Sequence, residues 1–141
     1  MDRHSARAAR QRTRLAVLII RRRTAVIASA LWTLFVWFTR VRNIANNDTM
    51  GKGARTLAYV VCALFIGAAI AMLVMLARHQ WLRLRLLLPV FAVVTVGWWA
   101  VRSVFILVHH HSWAFRVVHV VLGIISSVLA VVAWRGTRVR S

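Results

Sequence analysis

The chain of 141 residues sets 20 Lys and Arg against two acids, Asp2 and Asp48, for a net charge of +18, while 61% of its residues are hydrophobic. That length suits one compact domain, and a charge of that size points to nucleic acid or an anionic membrane surface. The positive residues fall in short clusters between long apolar runs and make no basic face on a globular domain, which selects the membrane and excludes nucleic acid.

Residues 1–23 hold eight arginines and read as a cytoplasmic polybasic tail. Within it LAVLII offers only six apolar residues before RRR, and no small-residue cleavage site precedes Trp32 and Trp37, so the segment reads as retained and not as a signal peptide. Such a tail attracts anionic headgroups by about 1 kcal/mol per basic residue near the surface. The plainer role, enforcing topology alone, stays open beside it.

Four apolar runs follow. TAVIASALWTLFVWFT at 24–39 extends through 41–45, and 56–77 is uncharged throughout. Residues 86–108 contain one arginine, and 117–134 borrows 113–116 from its flank. About 20 helical residues cross a hydrocarbon core of about 30 Å. Lipid admits only helices or closed barrels, and no period-2 alternation is present. The expected fold is therefore an all-α membrane protein, a bundle of four transmembrane helices with short loops, its spans at about 24–44, 56–77, 86–108 and 114–134, followed by a basic tail at 135–141. Pro89 is placed in the first turn of the third helix, where its missing N–H costs little.

One side of this bundle collects fourteen arginines, from the N-terminal tail, the loop 78–85 and the C-terminal tail; the other has Arg40, Arg42, Lys52 and Arg55. The excess of positive charge predicts both termini in the cytoplasm and a multi-pass chain in the plasma membrane. Trp81, Trp113 and Trp134 fall at span ends as interfacial anchors. Small residues at one-turn spacing, Ala63, Gly67 and Ala71 in the second span and Gly123, Ser126, Ser127 and Ala130 in the fourth, permit close helix approach either within the monomer or between copies.

Several chemistries lack their residues. A single cysteine, Cys62, excludes a CxxC relay or a thiolate cluster. No carboxylate lies in any span, which argues against a proton-coupled cation exporter. No phosphate-binding glycine loop, Ser/His/Asp arrangement or carboxylate pair is present, so no enzyme is expected.

The distinctive stretch is RSVFILVHHHSWAFRVVHVV at 102–121. His109, His110 and His111 are consecutive, so on a helix they would point about 100° apart, and with His119 and Cys62 they match no ligand spacing. A short polar turn is the ordinary reading, and neither metal nor cofactor is implied. Arg102 lies roughly 10 Å inside the end of its helix and leans toward the membrane centre, whereas Arg116 leans outward. An arginine held there needs a partner or a wet cavity. Asp48, backbone carbonyls, Thr95, Ser103, lipid phosphate and an anionic ligand are the candidates.

The segments WTLFVWFTRVRN (32–43) and VRSVFILVHHHSWAFRVVHVVLGIIS (101–126) resemble the two marked segments of small, uncharacterised four-helix membrane proteins of actinobacteria, and the Arg/Ala/Val-rich, Lys-poor composition fits a high-GC coding sequence. The resemblance implies the four-helix fold and no activity, so it assigns no functional residue.

Two functions fit these residues. The favoured one is a non-enzymatic accessory or scaffold subunit that engages lipid or a larger membrane complex. The alternative is a small transporter or channel that takes an anion or an anionic lipid headgroup at an outward-facing cluster of Arg40, Arg42, Arg102, Arg116, His109, His110, His111 and His119. The partners expected are the bilayer, with anionic lipids at its cytoplasmic face, and a homo-oligomer or larger complex.

Overall fold

The computed structural model of the chain describes residues 3–108 and 112–138. They form four helices, α1 (Arg3–Ala45), α2 (Lys52–Ala77), α3 (Trp81–Val108) and α4 (Trp113–Thr137). Each contains a stretch long and apolar enough to cross a membrane, in α1 the part Ile19–Ala45. This is the pattern of a multi-pass membrane protein.

Two expected boundaries move. The basic tail is helical and continuous with the first apolar stretch, because α1 runs unbroken through Arg21, Arg22 and Arg23. Arg, Ala and Leu are strong helix formers, and no Gly or Pro interrupts the chain before Gly51. Likewise α3 begins at Trp81, so Pro89 sits in the helix interior and not in the first turn. Its missing N–H removes one helical bond, the one that would reach the Arg85 carbonyl.

The connections are tight. Between α2 and α3 the Gln80 N–H bonds the Met75 carbonyl at 2.8 Å and the His79 N–H bonds that of Leu76 at 3.3 Å. His79 holds the left-handed conformation, φ 55°, that this helix ending requires. In the α1–α2 loop the Asn47 side-chain oxygen accepts from the Thr49 hydroxyl at 2.8 Å, and Arg55 of α2 donates to the Asn47 carbonyl. Ser112 caps α4 by accepting from the Phe115 N–H.

Each helix packs on two others: α1 on α2 and on α4, α3 on α4, and the α2–α3 seam is the loosest. Residue size explains the difference. α4 turns Gly123, Ser126, Ala130 and Ala133 inward, so its neighbours come close; a Cβ added at Gly123 would stand 3.0 Å from the Trp99 ring. Across the α1–α4 contact the Trp32 indole N–H donates to the Ser126 hydroxyl at 2.9 Å. Facing α2, by contrast, Trp37 stacks on Phe65 with centroids 4.2 Å apart, and Trp98 lies 6.0 and 6.2 Å from these two rings. The rings fill the space that would otherwise bring α2 and α3 together.

The two small-residue stripes therefore differ. Gly123, Ser126 and Ala130 are used inside the monomer, whereas Ala63 and Gly67 lie on the outer surface, with nothing near Gly67. Large apolar side chains cover that surface, among them Leu64, Leu86, Val93, Phe38 and Val118, while among the described residues the buried polar ones all carry hydroxyls: Ser29, Thr33, Thr95, Ser126 and Thr137.

Gly123→Val should drive a branched side chain into Trp99 and lower the stability of the purified monomer by about 1–3 kcal/mol. Gly67→Val should change it by less than about 0.5 kcal/mol. Thermal melts of the two variants in detergent check the contrast.

Candidate functional site

The α1–α2 loop, the end of α3 and the start of α4 lie at one end of the bundle, the far end. Arg21 to Arg23, the α2–α3 turn and Arg135 lie at the other, the basic end. Inside the far end is a cavity of about 460 Å³ lined by residues of all four helices. That is within the range of about 300–1,000 Å³ seen for small-molecule pockets.

The helix directions place its groups. Arg40 is five residues before the end of α1, Arg102 six before the end of α3, and His119 six after the start of α4. At 1.5 Å per residue all three Cα atoms lie about 8–9 Å inside the helix ends, and all three side chains line the cavity. Beneath them are Trp37, Trp98 and Trp99, with Trp37 and Trp99 buried. One local pattern produces this layer: Trp37-x-x-Arg40 and Trp99-x-x-Arg102 put a ring one turn deeper than a guanidinium on the same face of two helices running the same way. Trp113-x-x-Arg116 repeats the spacing on α4, which runs oppositely, so there the tryptophan is the outer residue and is 76% exposed.

No acidic residue lines the cavity. Among the described residues, Arg40 and Arg102 make no hydrogen bond or ion pair. Asp48 is exposed in the loop that Arg55 ties to α2. Thr95 does not reach Arg102 either; its hydroxyl is buried without a partner two turns toward the core. His119 bonds the Phe115 carbonyl through Nδ1 at 2.9 Å and lies on the Phe115 ring, centroids 3.9 Å apart. A carbonyl can only accept, so Nδ1 carries the proton, and Nε2 becomes a donor only when the ring is charged.

Of the eight residues expected to form one cluster, the structure brings together Arg40, Arg102 and His119. Arg42 is exposed, and Arg116 is half-buried outside the cavity lining. His109, His110 and His111 lie outside the described residues. Cys62 is buried in the core and does not share the cavity with His119. Asn43 and the three tryptophans were not among the expected site residues; the repeated Trp-x-x-Arg spacing was the available signal.

No protein-family model, curated protein or solved structure matches the chain.

If no protein group balances Arg102, removing its charge should not harm the fold. Arg102→Leu and Arg40→Leu should melt no earlier than wild type in ligand-free detergent. A buried network that lost one partner would instead cost about 3–5 kcal/mol.

Proposed function

We propose that this is a non-enzymatic integral membrane protein that binds an organic anion, a carboxylate or phosphate carried on an apolar body, in the far-end cavity. One observation carries the reading: two guanidinium groups share an aromatic-floored cavity in which no acid balances them. Arginine forks match carboxylate and phosphate oxygens in two-point contacts. The tryptophans, with Leu57, Val61 and Leu122, provide an apolar wall for the rest of the ligand.

The membrane reading is supported by the same residues seen from outside. A surface covered with leucine, valine and phenylalanine around a hydroxyl-bearing interior suits lipid as solvent. The charge excess of the basic end favours a plasma-membrane protein with both termini cytoplasmic, so the cavity belongs to the outer half. Binding is favoured over an open channel. The cavities of the two ends share no lining residue, and Val26, Ala30, Ala69, Met72 and Leu88 fill the core at 0% exposure.

The accessory-subunit reading keeps one observation of its own, the outward stripe of Ala63 and Gly67. Native mass spectrometry of protein extracted in mild detergent separates the two. A bound organic anion that is lost from the Arg40→Gln/Arg102→Gln variant supports the cavity, whereas a stoichiometric partner polypeptide without an anion supports the subunit. In titrations, 1-naphthoate should quench tryptophan fluorescence and neutral 1-naphthalenemethanol should not; equal quenching by both would remove the charge requirement.

Orientation has its own measurement. In a Cys62→Ala background, Ser5→Cys should react with an impermeant maleimide only after the cytoplasmic face is opened, and Asn47→Cys in intact cells. The reverse pattern would turn the bundle over.

A further inference from the structure

The basic end holds a second cavity, of about 380 Å³, that the far-end site does not use. Arg22 and Arg23 of α1, Arg85 of α3, Ile19, Trp81 and Thr137 line it, and none of them is acidic. The arginines are placed by specific neighbours. Arg22 lays its stem beside Gly136 of α4, where a Cβ would stand 3.9 Å from its Cγ. Arg23 donates through Nη2 to His79 Nδ1 at 3.0 Å and lies 5.9 Å from the centre of the Trp81 ring. The same His79 is the residue held in the left-handed conformation, so the turn that ends α2 also positions Arg23. Arg85 follows Trp81 by one turn and is exposed. The Thr137 hydroxyl already donates to the Trp134 carbonyl at 2.8 Å.

Three cations around a small volume recognise a phosphate, and the surroundings decide which kind. Ile19 lines the cavity and is 51% exposed, and Leu82 and Leu86, next in sequence to Trp81 and Arg85, are 75% and 67% exposed, an apolar flank that a free phosphate would leave bare. Basic pockets between membrane helices at the cytoplasmic face suit phospholipid headgroups. We propose that this pocket binds the phosphate of an anionic glycerophospholipid, its acyl chains lying along Ile19, Leu82 and Leu86. A general attraction of the polybasic tail for anionic lipid needs no particular side chain; this site needs Arg22, Arg23 and Arg85. It rests on the membrane reading and is independent of the far-end cavity.

The test uses the full chain in maltoside detergent, with native mass spectrometry reading retained lipid. Phosphatidylglycerol should be retained as one molecule at concentrations where phosphatidylcholine is not. Arg22→Gln/Arg23→Gln/Arg85→Gln should weaken retention by at least about tenfold, and the exposed-site variant Arg85→Gln, which threatens no packing, by about fivefold. Arg3→Gln/Arg7→Gln/Arg10→Gln removes the same charge from the tail and should leave that molecule bound. Equal loss in the tail variant, unchanged retention in both pocket variants, or equal retention of phosphatidylcholine would overturn the site. Displacement by millimolar inorganic phosphate would overturn the lipid assignment. Failure of the membrane reading shows separately, as release of the chain from membranes without detergent.

Discussion

The aromatic layer of Trp37, Phe65 and Trp98 keeps α2 apart from α3, and the far-end cavity depends on that spacing. Helices approach as closely as their facing side chains allow, and here two indoles and a phenyl ring occupy the layer between α1, α2 and α3. α4 faces the same core with glycine, serine and alanine. The bundle is consequently tight where α4 meets α3 and loose along the seam between α2 and α3, while α1 and α2 stay closely packed. The far-end cavity follows from that asymmetry, because rings wide enough to floor it also hold apart the helices above them. Their preference for close, offset contact, worth about 0.5–1.5 kcal/mol per pair beyond burial, keeps the floor in one arrangement.

Above that floor, charge governs what the cavity can hold. An arginine in a membrane interior is expensive by about 2.5–3.5 kcal/mol even on the permissive insertion scale, and is retained where it meets a partner or a wet cavity. Arg40 and Arg102 share one cavity, carry like charges and have no acid beside them. Adding a second cation raises the electrostatic cost of the first, which is the ground for proposing an anion as the balance. A channel would present the same cations along a continuous path. Here the path ends on Trp37 and Trp99 and on the packed core beneath them, which makes a receptor for an anion a better account than a conduit.

The four long apolar helices were legible because length and hydropathy alone mark them. Their ends were not, since an arginine is as good a helix former as leucine and its stem reaches the interface from inside a helix. This is why α1 continues through Arg21–Arg23 and why α3 starts before Pro89. Arg102 and His119 could be picked out as polar residues within apolar runs. Arg42 and Arg116 lie outside the cavity lining, because position near a helix end says nothing about which face a residue occupies. Trp37, Trp98 and Trp99 were missed for the opposite reason: an aromatic residue in a membrane span is ordinary until its spacing from an arginine, and the direction of its helix, are considered together. The small-residue stripes were equally alike in sequence. Only packing separates Gly123, pressed against Trp99, from Gly67, where an added Cβ would meet open space.

Depth and helix direction together explain how one residue type serves both ends. Side chains lean toward the N-terminus of their helix. α1 and α3 start at the basic end, so Arg22, Arg23 and Arg85 lean outward toward the interface, where a headgroup phosphate would lie. Arg40 and Arg102, near the opposite ends of these same helices, lean inward toward the tryptophan layer. These three arginines of the basic end thus point away from the middle of the bundle and these two of the far end toward it, as the proposed headgroup and anion sites require. Reversing either helix would exchange these roles, as α4 demonstrates: its Trp-x-x-Arg segment has the same spacing, yet Trp113 is outermost and Arg116 stays out of the cavity. The function proposed for each end therefore depends less on how many arginines the chain carries than on which way each helix runs when it reaches them.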